Sequence, residues 1–251
     1  MSINSYDNDI IGFITVRTTS ARLPNKCLLP FGKSSVLNHI IQRAISFGIK
    51  PIVCTSNSVD DNAIIEIANE EGVDYFRGSL KNKLRRWRDC AIFFNISMFH
   101  SIDADDPFFD GNEIIQSMKM LKKDGLDMVF PTESSSAGGA SVGYSLTTDI
   151  VSRACSNLDN NTDTEMMWYY IQKIPNLKTK VLPETRKNIT KMRLTLDYLE
   201  DYWLLESVRR ILGNSASRDE VDRLFISNPD LYKINWFKNK EWKDAQISKK
   251  I

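Results

Sequence analysis

The chain of 251 residues holds 33 Lys plus Arg against 32 Asp plus Glu, a formal net charge of +1, with 42% hydrophobic and 26% charged residues. Those proportions belong to an ordinary globular protein with enough chain for a substantial core. They exclude a strongly basic nucleic-acid binder, and no stretch approaches the roughly 20 apolar residues that cross a bilayer.

The polar, acidic start of the chain is not a signal peptide, so a cytoplasmic protein is expected. Residues 10–16 (IIGFITV) form a continuous apolar run, the signature of a strand buried on both faces of a parallel sheet. A loop with Pro24, Pro30 and Gly32 follows. From Ser35 onwards Val36, Leu37, Ile40, Ile41, Ala44 and Ile45 recur at helical spacing, with Ser34 or Ser35 as cap and Gly48 as stop. Residues 52–55 read as a strand, 60–71 as a helix closed by Gly72, 73–76 as a strand and 81–94 as a helix. Residues 98–102 and 128–130 read as strands either side of a helix at 113–123.

Strand and helix alternating over short connections predict an α/β fold with a mostly parallel sheet and right-handed crossovers. Past residue 130 the pattern loosens. Residues 131–143 are rich in Ser and Gly, 165–173 read as an aromatic-rich helix, and 192–196 as a strand ending at Asp197. Residues 198–212 then read as an amphipathic helix, and Trp236, Phe237 and Trp242 stand among lysines in the tail. With no internal repeat and no long linker, one domain over 1–251 is expected. Its regularly alternating part spans 1–130, a looser segment 131–190, and a strand with C-terminal helices 191–251.

Cys27, Cys54, Cys90 and Cys155 lie far apart without a C-x-x-C pair, as expected of reduced thiols rather than a zinc site. His39, read on the polar side of its helix, and His100, read in a strand, are the only histidines. The chemistry is therefore expected from carboxylates, lysines and arginines.

Open parallel sheets bind ligands beyond the carboxyl ends of their strands. Two such ends are unusual here. After the first strand, Arg17, Ser20, Arg22 and Lys26 bring cations and a hydroxyl suited to phosphate oxygens into ten residues, a solvated surface loop being the alternative. The loop has neither the P-loop pattern nor the dinucleotide fingerprint. After residues 98–102 come Asp103, Asp105 and Asp106, whose mutual repulsion suggests a neutralising cation. Oxygen ligands favour Mg²⁺ or Mn²⁺; an exposed acidic turn is the alternative.

The run R-x-x-S-x-R-L-P-x-K at residues 17–26 resembles the cytidylyltransferases that make CMP-activated sugars. These include the CMP-3-deoxy-octulosonate and CMP-sialate synthetases and especially the SpsF group. The likeness continues in Thr55-Ser56-Asn57 with Asp60-Asp61, in Phe76-Arg77-Gly78-Ser79 with Leu84 and Arg86-Trp87, in Asp105-Asp106-Pro107, and in Arg193-Leu-Thr195-Leu-Asp197. The resemblance implies a Rossmann-like nucleotidyltransferase domain with a nucleotide-binding half (1–130), an acceptor-binding and oligomerisation segment (131–190) and a metal-ligand strand with C-terminal helices (191–251). CTP would lie against Arg17, Ser20, Arg22, Lys26, Thr55, Ser56 and Arg86. Arg22 and Lys26 would stabilise the departing pyrophosphate, and Asp105 and Asp197 would hold Mg²⁺ or Mn²⁺. Glu200 and Asp201 would serve the following helix terminus. Gly139 and Glu165 would meet a small-molecule acceptor, an acidic sugar in the commonest case; Met166 stands where the family has His, so the acceptor's identity stays open. The aromatic residues Trp168, Tyr169 and Tyr170 are expected in packing, and the aromatic-rich second half in a homodimer.

The expected reaction is CMP transfer from CTP with release of pyrophosphate, for surface polysaccharide or glycoconjugate synthesis. The alternatives are activation of a phosphonate or phosphorylated small molecule, a glycosyltransferase built on Asp103-Ala104-Asp105, and a non-catalytic nucleotide-binding subunit.

Overall fold

The computed structural model describes residues 9–139, 143–187 and 191–247. The start of the acidic N-terminus and residues 140–142 of the glycine-rich segment lie outside the described residues.

The first apolar run becomes β1 (Ile10–Thr15), an interior strand of a seven-stranded sheet. Alternate residues face opposite layers, as the two-residue strand period requires: Ile14 packs into one core cluster and Phe13 into the other. On one side lie the parallel strands β4 (Ile49–Ser56) and β5 (Asp74–Gly78), with the antiparallel β2 (Pro30–Phe31) and β3 (Ser34–Ser35) forming a separate small ribbon. On the other side β6 (Met98–Asp103) pairs parallel to β1. The sheet continues into β8 (Ser145–Thr147), β7 (Met128–Phe130) and β9 (Thr179–Val181), where β8 runs antiparallel between β6 and β7. This is the predicted α/β, mostly parallel architecture, with one reversed strand.

Helices cover both faces. Helices α1 (Val36–Ser46), α2 (Asn62–Glu70), α7 (Leu199–Leu212) and α8 (Arg218–Ser227) pack on one, and α3 (Lys83–Phe93), α5 (Thr148–Cys155) and α6 (Trp168–Ile171) on the other. Helix α4 (Gly111–Lys123) lies against β7, and α9 (Lys238–Ile247) is the last element. Helix α1 starts at a capping box, with Ser35 Oγ accepting from Asn38 N, and the chain turns at Gly48 with φ 74°.

Several expectations change. Residues 192–196 form no strand. Leu194 N donates to Gly138 O at 3.0 Å and Leu196 N to Asp105 O at 2.7 Å, so the segment lies extended along a turn rather than in a ladder. The helix expected over 165–173 shrinks to the single turn of α6. His39 is buried, not on a polar face: its Nε2 lies 2.8 Å from Pro107 O and its ring packs edgewise on Phe31 and Phe108. Desolvation pushes that imidazole down to about 4 despite the Pro107 carbonyl.

The sheet order β5-β4-β1-β6 reverses direction between β1 and β6, the switch point at which such sheets open a ligand crevice. Thr15 at the end of β1 stands in register with Cys54 on one side and Asp103 on the other. The unusual loop and the unusual carboxylates therefore emerge side by side.

Candidate active site

A cleft of about 720 Å³ opens over these strand ends. Arg17, Ser20, Arg22 and Lys26 line it from the loop after β1, Asp103, Asp105 and Asp106 from the end of β6, and Asp197 from the approach to α7.

The loop is hung from its neighbour. The buried Asp61 carboxylate accepts from Thr18 N and Thr18 Oγ1, each at 2.8 Å, from Thr55 Oγ1 at 3.1 Å, and from Ser56 N at 3.2 Å and its hydroxyl. Burial alone would raise its pKa, but the donors of Ser56, Thr18 and Thr55 hold it below the ordinary carboxylate value. Thr55 and Ser56 are thus spent on Asp61 and are not lining residues of the cleft. They fix the wall behind it.

Lys26 opens a short 3₁₀ turn after Asn25, which sits in the left-handed region at φ 56°. Its ammonium reaches Asp105 Oδ2 at 2.6 Å, Asp197 Oδ1 at 3.1 Å and Leu196 O at 2.8 Å. Arg22 Nη2 donates to the same Asp197 oxygen at 2.5 Å. Lys26 and Arg22 thereby share one carboxylate that lies 171 and 175 positions away from them in sequence. Burial would lower the Lys26 pKa, yet Asp105 and Asp197 outweigh it and raise it. For Asp197 burial acts upward, but Lys26 and Arg22 pull the carboxyl down to about 2. Asp105 moves the other way: desolvation, joined by the neighbouring charges of Asp197 and Asp103, exceeds the pull of Lys26. Asp197 therefore keeps its charge well below the ordinary carboxylate range, whereas Asp105 takes up a proton more readily.

Asp197 is aimed from behind. Arg193 Nη2 donates to its second oxygen at 3.2 Å, while Arg193 also grips Asp201 at 2.9 and 3.2 Å. Asp201 in turn accepts from Asp197 N and Tyr198 N, both at 2.9 Å, capping α7 as expected of it.

The opposite wall carries a second set of charges. Arg17 turns away from Arg22 and Lys26: it donates to Leu80 O at 3.2 Å and pairs with Glu165 at 3.1 Å. Lys83, in the first turn of α3, pairs with Asp103 at 3.1 Å and lies 4.9 Å from the Trp87 ring centroid. Arg86 is buried, donates to Ser79 O at 2.7 Å, and leaves its Nε–H without a hydrogen-bond partner among the described residues. Ser20 lies on the rim, its Oγ accepting from Leu23 N at 3.4 Å.

Gly139 does not reach the cleft. It is buried, and a Cβ there would collide with Arg218 and the Ser134 carbonyl, so its bareness serves packing. Trp168 and Tyr169, expected only in packing, line the cleft, and Trp168 also packs edgewise on Phe130 at 4.9 Å. Sequence reasoning passed over Lys83, Tyr144, Trp242 and Lys243 as lining residues. Lys83 had a signal, one position before the quoted Leu84. Trp242 and Lys243 had none beyond an aromatic, lysine-rich tail.

Asp105 and Asp197 on one ammonium are a donor set that accepts a cation, and oxygens of Asp103, Asp105 and Asp106 lie within 4.8 Å of one another. Lys26 is the stand-in charge there. An all-oxygen set suits a hard divalent ion.

Comparisons with known proteins place the chain in a family. The family model described as Cytidylyltransferase matches residues 11–229. An uncharacterised protein of Methanocaldococcus jannaschii is 31% identical over 232 residues, covering 90% of this chain and 94% of that protein. The spore coat polysaccharide biosynthesis protein SpsF of Bacillus subtilis is 27% identical over 234 residues, covering 89% and 96%. A cytidylyltransferase structure from Leptospira borgpetersenii superposes with a TM-score of 0.75 at 24% identity, covering 89% of this chain and 95% of that one. The chain belongs to the cytidylyltransferase family and is a nucleotidyltransferase.

Proposed function

We propose that the protein transfers CMP from CTP to an acidic sugar or another small acceptor bearing a nucleophilic oxygen, releasing pyrophosphate, in the synthesis of a surface polysaccharide. The observation that carries this reading is the single ammonium of Lys26 touching both Asp105 and Asp197, with Arg22 beside it, at the switch point of the sheet.

Asp105 and Asp197 would hold a divalent ion, Mg²⁺ or Mn²⁺. When bound, such an ion supplies charge neutralisation and polarisation of a phosphoryl oxygen. Arg22 and Lys26 take the oxygens of the β- and γ-phosphates, where negative charge grows as the bond between the α-phosphorus and its bridging oxygen breaks. The acceptor oxygen forms the new bond to that phosphorus and loses its proton to solvent, or arrives already ionised. Arg86 offers its unused Nε–H to the nucleotide, and Ser20 stands on the rim beside the phosphates. Thr55 and Ser56 act from behind through Asp61. Glu165, held by Arg17, faces the acceptor end with Trp168 and Tyr169.

Residues 1–251 act together in this reading, in the cytoplasm and as a homodimer. Leu199 and Trp203, one turn apart on α7 and about half exposed, offer an apolar surface for the dimer. The Asp103-Ala104-Asp105 alternative loses ground because Asp103 is engaged by Lys83 on the opposite wall, whereas Asp105 shares Lys26 with Asp197.

The test is pyrophosphate release from each of the four nucleoside triphosphates with Mg²⁺ or Mn²⁺ and a panel of sugar acids, phosphonates and phosphorylated alcohols. CTP with an anionic acceptor should turn over. Turnover restricted to a nucleoside diphosphate sugar would overturn the reading.

A further inference from the structure

In the free protein the two carboxylates assigned to the metal are already occupied. All three N–H donors of the Lys26 ammonium are used, on Asp105 Oδ2, Asp197 Oδ1 and Leu196 O at 2.6, 3.1 and 2.8 Å. Arg22 takes the same Asp197 oxygen at 2.5 Å and Arg193 the other at 3.2 Å. Lys26 and Arg22 thus balance Asp105 and Asp197 charge for charge.

A divalent ion arriving alone must push the ammonium off both carboxylates. The displaced group, on a side chain only 14% exposed, would give up two carboxylate partners at once, and of the carboxylates next to Asp105 that of Asp103 is already paired with Lys83. A polyphosphate changes this. Its oxygens offer Lys26 and Arg22 new partners, and the four-carbon lysine stem swings without moving the backbone of the Lys26–Leu28 turn. Each exchange alone is uphill, because metal alone takes the carboxylates from Lys26 and Arg22, and polyphosphate alone takes both cations from Asp105 and Asp197, leaving only Arg193 on the latter. Together they complete each other.

We infer that Lys26, besides meeting the phosphates, keeps the metal site closed in the free protein and yields it only to a cation that binds together with a polyphosphate. The inference rests on the metal assignment proposed above and adds a reciprocal coupling: CTP raises the metal affinity by the factor by which metal raises that of CTP.

The experiment is Mn²⁺ binding to the full chain, read from the electron paramagnetic resonance signal of the free ion, for the native protein and Lys26→Gln, with circular dichroism as the folding control. The native protein should bind Mn²⁺ alone at least about tenfold more weakly than Lys26→Gln. The coupling between Mn²⁺ and CTP should shrink in the variant. Equal Mn²⁺ affinity in the two proteins overturns the inference. Should Lys26→Gln not fold, Lys26→Met takes its place under the same readout. A gain in Mn²⁺ affinity of about tenfold or more supports the inference, and any smaller gain overturns it.

Pyrophosphate release separates this inference from its parent. Native protein that turns over CTP yet takes Mn²⁺ freely sinks the coupling alone. No turnover of any nucleoside triphosphate, alongside the Lys26→Gln gain, sinks the nucleotidyl-transfer reading alone.

Discussion

Asp197 receives charge from three sides, Lys26, Arg22 and Arg193, and that crowding separates its role from those of its neighbours. Asp105→Asn and Asp197→Asn should each cut pyrophosphate release by about two to three orders of magnitude. Asp103→Asn, which loosens only Lys83, should cost less than about tenfold. A deeper loss at Asp103 than at Asp105 would reverse the proposed ligand assignment and favour the D-x-D alternative. At this scale the sequence was informative where chemistry and position coincide. A cationic loop and a carboxylate cluster at two strand ends named Arg22, Lys26 and Asp105 as candidates, and the family resemblance added Asp197. Pairing was not legible: nothing local tells that Arg17 turns to Glu165, 148 positions away, or that Lys83 answers Asp103. Long, flexible cations choose partners from the tertiary surroundings, and a linear pattern does not record those.

Among the elements, α7 begins on a polar hub rather than a simple cap. Asp201 accepts from Arg193, from two backbone N–H groups and from Asn235 Nδ2 at 2.8 Å, and is fully buried. Asp201→Ala leaves the Arg193 guanidinium buried beside one carboxylate fewer, and should destabilise the fold by about 3–5 kcal/mol in urea titration. A loss below about 1 kcal/mol would mean that Asp197 suffices to hold Arg193. The central strands and their helices were readable because long apolar runs and helical periodicity are strong signals. The far side of the sheet was not. Strand β8 is Ser-Leu-Thr, three residues with one apolar side chain, and it becomes a strand only because β6 and β7 offer open edges to it. The opposite error at 192–196 has the same origin: an apolar run reads as a strand, yet no neighbouring strand pairs with it.

Across the whole molecule, both histidines are buried and neutral. His39 is held down to about 4 by desolvation and His100, with Nδ1 2.8 Å from Ser145 Oγ, to about 3 by the same cause. The unfolded chain takes up these protons near pH 6.5 and the folded chain refuses them, so stability is complete above that pH and drains away below it. From His39 alone the loss by pH 4 is on the order of 3 kcal/mol. Asp197 adds a second acid limb, since its depressed carboxyl stabilises the fold above the ordinary aspartate value of about 3.9 and ceases to do so as pH falls toward 2. Thermal melts should therefore decline from pH 6.5 to 4 and then further, and replacing both histidines by Gln should flatten the upper limb only. A melting temperature constant between pH 6.5 and 4 would refute the burial argument.

The participation of α9 bears on how the cleft is bounded. Trp242 and Lys243 border a cleft whose other residues begin at Thr15. A chain cut short before this helix would keep the lysine and both aspartates yet lose Trp242 and Lys243 from the edge of the crevice, so its last segment of sequence helps set how open that crevice is.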